Sequence, residues 1–242
     1  MTLEKAVHVF VHGFAFTRSF THPYLVSQRA GLIVMHDAPR ERERNPEYVV
    51  VGMSPRKGWE ALKKAGFSQG GVCVMCGVGD DLAFVRDSYK SFGLRFARGE
   101  PMFAAATAAA PVYKAPLPVV RVDSLELAER VKRAARTRQI LPEHIGREDT
   151  LRLYAAINGR SAVGWVKSIP VDDCAWVSNL YVDKAMRGKG IGRALMSTML
   201  KDDAAHGVRH SVLLASGAGS RLYPHVGYER IGTLMMFIPA KR

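Results

Sequence analysis

The stretch from Ala175 to Leu200 constrains the fold most, because it joins a strand, a glycine-rich turn and a helix. Residues 176–182 are rich in β-branched and aromatic side chains, which predicts a buried strand. Apolar residues then recur at helical spacing, at Ile191, Ala194, Leu195, Met199 and Leu200. A helix that begins among glycines presents N–H groups and the positive end of its dipole, so this stretch predicts an anion site.

The spacing of the arginine and glycine residues in the turn indicates which anion it binds. It follows Arg-x-x-Gly-x-Gly, with Arg187, Gly190 and Gly192 in the fixed places. A dinucleotide-binding fingerprint would need a third small residue where Arg193 lies, and a P-loop would need Gly-Lys-Ser/Thr. Neither pattern fits. The turn resembles the acyl-CoA pyrophosphate loop of the GNAT acetyltransferase superfamily, where the motif likewise follows the fourth strand and opens a long helix.

The residues downstream continue the resemblance. A predicted strand at 208–215 leads into a small-residue loop at 216–220. Tyr223 and then Gly227-Tyr228 match the family's short helix, glycine and aromatic residue in order and spacing. An apolar run at 231–238 predicts the closing strands. The resemblance covers about residues 120–242.

The resemblance implies a fold and a reaction. The fold is α/β (α+β): the GNAT fold, a mixed, mostly antiparallel sheet flanked by helices. The reaction is direct transfer of an acetyl group from acetyl-CoA to a primary amine, with Tyr223 as the general acid that protonates the departing thiolate. Main-chain groups of the fourth strand bind pantetheine and the acetyl oxygen. The implied acetyl-CoA-binding residues are Leu180, Tyr181, Val182, Arg187, Gly188, Lys189, Gly190, Ile191, Gly192, Arg193 and Ser216.

The general base departs from the family pattern. Many members carry a glutamate early in the fourth strand, at the position that aligns with Trp176. Asp172, Asp173, His225 and water chains remain alternatives. Two functions are therefore left open: an N-acetyltransferase of unknown acceptor, or a non-catalytic acyl-CoA-binding regulatory module.

The charge of the chain fits an anionic ligand. The net charge is +13, and basic side chains exceed acidic ones in both halves: 15 against 10 in residues 1–115, and 20 against 12 in residues 116–242. Such a spread, without a motif of interleaved aromatic residues, does not indicate a nucleic-acid interface. No apolar run has the length of a membrane span and the first residues do not resemble a signal peptide, so we expect a cytoplasmic protein. A homodimer is left open.

The first half resembles a shortened second copy of the same fold. Residues 88–103 align without gaps on 222–237, which places Tyr89 on Tyr223 and Gly93 on Gly227. The Arg-x-x-Gly-x-Gly motif is missing there, so we expect no CoA site in this half. We predict a degenerate GNAT-like domain at 1–103, a proline-containing linker at 104–119 and the acetyltransferase domain at 120–242, as in bacterial two-domain GNAT proteins.

Local patterns predict the elements of the first half. Strands are expected at 7–11, 32–35, 48–51 and 72–75, and helices at 59–65 and after Asp80-Asp81. Residues 40–44 are expected to form a solvated loop. Cys73 and Cys76 are expected to be core residues, because side chains three apart on a strand point to opposite faces. His8 and His12 have no acidic or cysteine neighbour, so no metal site is predicted.

Overall fold

The computed structural model describes residues 1–147, 149–217 and 219–240, which form two compact units. Unit 1 comprises residues 1–103, 214–217 and 230–242, and unit 2 comprises residues 104–213 and 218–229. Ala218, in the loop predicted at 216–220, lies outside the described residues. No helix in the described ranges has both the length and the apolar character needed to cross a membrane.

Helices and groups of strands follow one another along the chain. Helices α1–α5 span Leu3–Arg18, Pro55–Lys64, Leu82–Ser91, Leu125–Ala135 and Ile191–Ala205. Strands β1–β11 span Tyr24–Arg29, Leu32–Asp37, Glu47–Val50, Gly71–Gly77, Leu94–Ala106, Val119–Arg121, Arg152–Asn158, Ser161–Val171, Cys174–Val182, His210–Leu214 and Glu229–Pro239. Short 3-10 turns cover Thr107–Ala109, Pro142–His144, Lys184–Met186, Gly219–Arg221 and Tyr223–Val226.

The two units repeat one strand pattern. In unit 1 the strands lie in the order β1-β2-β3-β4-β11-β5, and in unit 2 in the order β10-β9-β8-β7-β6. Each unit has an antiparallel meander, β1-β2-β3 or β7-β8-β9, followed by a helix and a parallel partner strand. Gly93 and Gly227, which the sequence aligned, both have φ +87° and both precede a long strand. The two units therefore repeat one fold, as the sequence predicted.

Strand β11 lies in the sheet of unit 1, whereas the sequence-based boundary grouped residues 120–242 together. It pairs antiparallel with β4, from Gly232↔Gly77 to Phe237↔Val72. Met235 and Phe237 belong to the same buried cluster as Leu62 and Tyr89, so this strand completes the core of unit 1. Likewise, the first residues of the expected linker, 104–106, continue β5.

The strand predicted at residues 7–11 is wrong, because these residues lie within helix α1. The hydroxyl of Thr2 accepts a hydrogen bond from the Lys5 N–H at 3.2 Å and caps the helix. Ala6, Phe10 and Gly13 are buried, and their spacing is helical. His8 and His12 lie one turn apart, with ring centroids separated by 4.5 Å.

The remaining strands and helices predicted in the first half are present. Asp81 accepts from the N–H groups of Ala83 and Phe84 and caps α3, as expected of that acidic pair. Cys73 and Cys76 are both buried on β4. Burial raises the pKa of the Cys76 thiol to about 11 and that of Cys73 further, so neither thiol ionises at neutral pH.

Residues 40–44 form a loop, as predicted, and residues 40–43 are exposed, but Arg40 and Arg44 also pair with a buried carboxylate. Asp37 accepts from Arg44 Nε at 2.6 Å and from the Arg44 N–H at 2.7 Å, and Arg40 adds an ion pair. The guanidinium of Arg44 also lies over the Tyr24 ring, 4.6 Å from its centroid. These interactions, foremost the side-chain bond from Arg44, hold the pKa of Asp37 well below its usual range.

Asp37→Asn is expected to destabilise unit 1 at pH 7 but much less at low pH. A carboxyl whose pKa is lower in the folded state contributes stability above its unfolded pKa of about 3.9, and that contribution is lost as the pH falls towards the folded pKa. Urea unfolding of the wild type and of Asp37→Asn, at pH 7 and near pH 2, measures the difference in their free energies of unfolding. Asp87→Asn is the control, because the Asp87 side chain is 74% exposed. An equal gap at both pH values would contradict the assignment.

Candidate functional site

The glycine-rich turn joins β9 to α5 in unit 2. Asp183 Oδ1 accepts from the Ala185 N–H at 2.9 Å and caps the 3-10 turn that leaves β9. Gly188 and Gly190 follow with φ +77° and +82°, in the left-handed region that favours glycine. A Cβ atom at either position would meet nothing within 4 Å among the described residues. The backbone of the turn is therefore open to a ligand at the start of α5.

Gly192 has a different role from Gly190. A Cβ atom there would lie 3.3 Å from Leu222 Cδ2 and 3.8 Å from Val182 Cγ2. The first turn of α5 thus packs closely against the end of β9 and against the residue before the Tyr223 turn. Gly190 leaves space for a ligand, whereas Gly192 lets the helix approach its neighbours.

Basic side chains surround this helix end. Lys184, Arg187, Lys189 and Arg193 are all exposed, and the first turn of α5 carries no acidic residue. Arg187 Nε donates to the Val182 carbonyl at 3.0 Å, and its guanidinium lies 5.9 Å from the centroid of the Tyr181 ring. No side chain of the described residues caps the helix, whose N-cap is Gly190. This charge and the helix dipole both favour an anion.

Strand β9 separates from β10 before it reaches the turn. The parallel register runs from His210↔Cys174 to Val212↔Trp176, whereas β9 continues to Val182. Its register with β8 shifts between Trp165 and Lys167, where Asn179 adopts φ +53°. Such a bulge re-aims the strand. Leu180, Tyr181 and Val182, predicted to contact pantetheine, therefore lie beyond both the bulge and the last pair with β10.

The sequence analysis did not identify Asn179 or its partner. Asn179 Nδ2 donates to Gln139 Oε1 at 2.5 Å, and Gln139 is buried in the loop after α4. This bond ties the bulge to that loop. The sequence signal that could have identified the bulge is an asparagine within a run of β-branched and aromatic residues. Asparagine adopts left-handed backbone conformations more readily than most residues.

Buried polar side chains fix α5 on the sheet of unit 2. Arg152, on β7, donates to Asp203 Oδ1 from Nη2 at 2.7 Å and from Nε at 3.1 Å. Ser168, on β8, donates to the same carboxylate at 2.8 Å. All three side chains are buried. Because a buried ion pair is costly to break, this contact holds the helix that begins at the glycine turn in one position.

Tyr223 is a buried phenol at the start of its 3-10 turn. Its side chain is 7% exposed and its ring lies 5.7 Å from the Tyr228 ring, centroid to centroid. Burial raises the pKa of Tyr223 to about 12. The phenol is therefore neutral at physiological pH and retains a proton to donate.

The candidate general bases, unlike Tyr223, are not buried. Asp172 and Asp173 lie in the hairpin between β8 and β9, at the end of β9 away from the glycine turn, and Asp173 is 3.5 Å from Arg209. His225 is exposed in the Tyr223 turn. Trp176 is buried, so an indole fills the position where the family resemblance implied a carboxylate. Ser216 is exposed after β10 and groups with unit 1.

At the corresponding place in unit 1 the two parallel strands do not separate along β3. The parallel pairing of β3 and β4 covers all of β3, from Glu47↔Gly71 to Val50↔Val74. A Cβ atom on Gly58, in the first turns of α2, would lie 2.5 Å from the Tyr89 hydroxyl and 2.8 Å from Val50 Cγ1. Side chains therefore fill the space between this helix and its strands.

Comparisons with known proteins agree with this architecture. Residues 149–230 match the family described as an Acetyltransferase (GNAT) domain. Among solved structures, a GCN5-related N-acetyltransferase from Kribbella flavida is 14% identical with a TM-score of 0.70, and the match covers 98% of this chain and 96% of that one. A GCN5-related N-acetyltransferase from Sphaerobacter thermophilus is 17% identical with a TM-score of 0.57, covering 86% and 79%.

A tandem GNAT protein from the clavulanic acid biosynthesis pathway covers the chain in full. It is 13% identical with a TM-score of 0.56, and the match covers 100% of this chain and 98% of that one. At these identities the likeness concerns the fold, and the chain therefore has a tandem GNAT fold, as the sequence predicted. No curated protein sequence matches this chain. Within the described residues, no group of three or more His, Cys, Asp or Glu side chains is arranged to hold a metal ion.

Proposed function

We propose that unit 2 is an N-acetyltransferase that transfers an acetyl group from acetyl-CoA to a primary amine, because residues 149–230 match the GNAT acetyltransferase domain family and the chain resembles tandem GNAT structures in fold. The observation that carries the proposal is the glycine turn itself. Its backbone is open at Gly188 and Gly190, it begins α5, and it follows the point where β9 leaves β10. These are the requirements of a site for a phosphate ligand beside an extended chain.

In this proposal the turn and its cations hold the donor. The N–H groups from Gly188 to Gly192 bind the pyrophosphate, and Arg187, Lys189 and Arg193 add positive charge. Main-chain groups at residues 180–182 pair with the pantetheine as an added strand would. One of their N–H groups stabilises the negative charge that develops on the acetyl oxygen.

The transfer needs few side chains. The neutral amine attacks the thioester carbon, so a C–N bond forms and the C–S bond breaks. Tyr223 donates its proton to the departing thiolate and regains one from solvent, while the amine loses its extra proton to water. With an indole at Trp176, no carboxylate is assigned as the base, so an acceptor amine that is partly neutral at the working pH is the expected substrate class.

The second candidate is a module that binds acyl-CoA without turning it over. It is favoured by the buried Trp176, and by Asp173 lying next to Arg209 rather than near the turn. Calorimetry with acetyl-CoA, together with thiol release measured over a panel of primary amines, separates the candidates. Binding with amine-dependent thiol release supports the enzyme, binding without release supports the module, and absence of binding contradicts both.

We expect a single acetyl-CoA site per chain, because β3 and β4 of unit 1 do not separate as β9 and β10 of unit 2 do. Every residue of β3 pairs with β4, and Tyr89 fills the space beside Gly58. Calorimetric titration of the full chain measures the stoichiometry. A second saturable site that survives disruption of the unit 2 turn would contradict this expectation.

A further inference from the structure

A short segment within the predicted linker, residues 111–113, lies against α5 and is hydrogen-bonded to it. Ser197 Oγ donates to the Pro111 carbonyl at 2.8 Å and accepts from the Tyr113 N–H at 3.2 Å. Ser197 follows Arg193 by four residues, so the two side chains lie on the same face of the helix. The segment therefore lies along the face of α5 that leads to the glycine turn.

The ring of Tyr113 contacts one of the cations of the turn. The guanidinium carbon of Arg193 lies 5.3 Å from the centroid of this ring. A guanidinium within about 6 Å of an aromatic centroid is attracted to the ring face. Arg193 is exposed in the first turn of α5, so this contact restricts a side chain that would otherwise be mobile.

The hydroxyl of Tyr113 contacts the turn that carries Tyr223. It donates a hydrogen bond to the carbonyl of His225, two residues after Tyr223. The same segment packs against the end of this turn: a Cβ atom on Gly227 would lie 3.2 Å from Pro111 Cδ. The position of the turn is thus fixed at two points by residues outside it.

We propose that Tyr113 is a positioning residue for acetyl transfer, acting through Arg193 on donor binding and through the His225 carbonyl on Tyr223. This inference rests on the function proposed above. The ring holds the guanidinium beside the turn before the ligand arrives, which lowers the entropic cost of binding the pyrophosphate. The hydroxyl holds the Tyr223 turn, and small displacements of a catalytic group cost rate.

Two substitutions of Tyr113 separate these effects. Tyr113→Phe keeps the ring and removes the hydroxyl, so kcat with the best amine of the panel is expected to fall about three- to tenfold, with the Kd of acetyl-CoA unchanged. Tyr113→Leu removes both, so Kd is also expected to rise about two- to fivefold. Val112→Ala is the matched control, because Val112 is 82% exposed in the same segment, and it should change neither quantity.

A double-mutant cycle with Tyr223→Phe distinguishes positioning from general stabilisation. If the Tyr113 hydroxyl acts through Tyr223, Tyr113→Phe should lower kcat in the wild-type background and have no further effect in the Tyr223→Phe background. An unchanged kcat for Tyr113→Phe, or an equal loss in both backgrounds, would overturn the role of the hydroxyl. An unchanged or lower Kd for Tyr113→Leu would overturn the role of the ring. No acetyl transfer by the wild-type protein would overturn the proposed function and this inference together.

Discussion

Gly190→Asn is expected to raise the Kd of acetyl-CoA by about 100-fold, because the new side chain would occupy the space through which a phosphate reaches the backbone. The position has φ +82°, and a Cβ atom there would meet nothing within 4 Å in the part of the chain that the structure describes. Asparagine tolerates this conformation better than other side chains, so the loss reports occlusion more than strain. Loss of charge-assisted bonds to two N–H groups, at about 1.5 kcal/mol each, accounts for the size of the effect.

Gly207 provides the matched control for this measurement. It follows the C-terminal end of the same helix with φ +79°, and a Cβ atom there also meets nothing within 4 Å. Gly207→Asn should therefore carry a similar conformational cost without changing the Kd. Calorimetry and thermal unfolding of both variants give affinity and stability. Wild-type affinity in a folded Gly190→Asn protein, or equal losses in both variants, would remove the glycine turn from the site.

A hairpin and two helix starts in unit 2 can be predicted from a few adjacent residues. Asn158-Gly159 is a typical hairpin sequence, and β7 and β8 pair beside it from Arg152↔Ser168 to Asn158↔Ser161. Ser124 is of the type that caps helices, and its hydroxyl accepts from the Leu127 N–H at the start of α4. Gly190 is the N-cap of α5, as its position before an apolar helical pattern required. In each case a few adjacent residues determine the structure without help from distant ones.

Predictions from short sequence windows failed or were incomplete where burial by distant parts of the chain determines the structure. Residues 7–11 are rich in valine, which favours a strand, yet α1 is a helix capped by Thr2, with Ala6 and Phe10 on its buried side. The window was too short for the helical period to dominate. The loop at 40–44 is present, but its bonds to Asp37 were not predicted, because Asp37 is buried by contacts that the sequence does not reveal.

Placement of segments that contact distant parts of the chain was the hardest to foresee. Strand β11 was recognised as a strand, but its position between β4 and β5 depends on partners more than a hundred residues away. The alanines and prolines around Tyr113 indicate a linker, so the sequence alone gives no reason to assign this residue a role. Its contacts to Arg193 and to the His225 carbonyl exist only once α5 and the Tyr223 turn are formed.

Tyr223→Phe is expected to lower kcat by about 100-fold while leaving the Kd of acetyl-CoA nearly unchanged. The hydroxyl is required only as negative charge develops on the leaving sulfur, so its loss affects the transition state and not the bound donor. Because burial raises the pKa of Tyr223 to about 12, the phenol keeps its proton through the ordinary alkaline range. The rate should therefore show no decline near pH 10, where an unperturbed tyrosine ionises.

Tyr228→Phe separates this effect from the loss of any buried phenol in the same region. Tyr228 is 2% exposed, its ring contacts that of Tyr223, and its hydroxyl bonds to Ser211 Oγ at 2.6 Å. Its substitution should cost about 1 kcal/mol of stability through the lost hydrogen bond, with kcat retained. Single-turnover rates, with acetyl-CoA bound and amine saturating, isolate the chemical step.

Wild-type turnover in Tyr223→Phe, or an equal fall in both variants, would mean that the proton comes from another donor. A rate that declines near pH 10 in the wild type and not in Tyr223→Phe would instead retain the tyrosine as the acid but contradict its buried, neutral state.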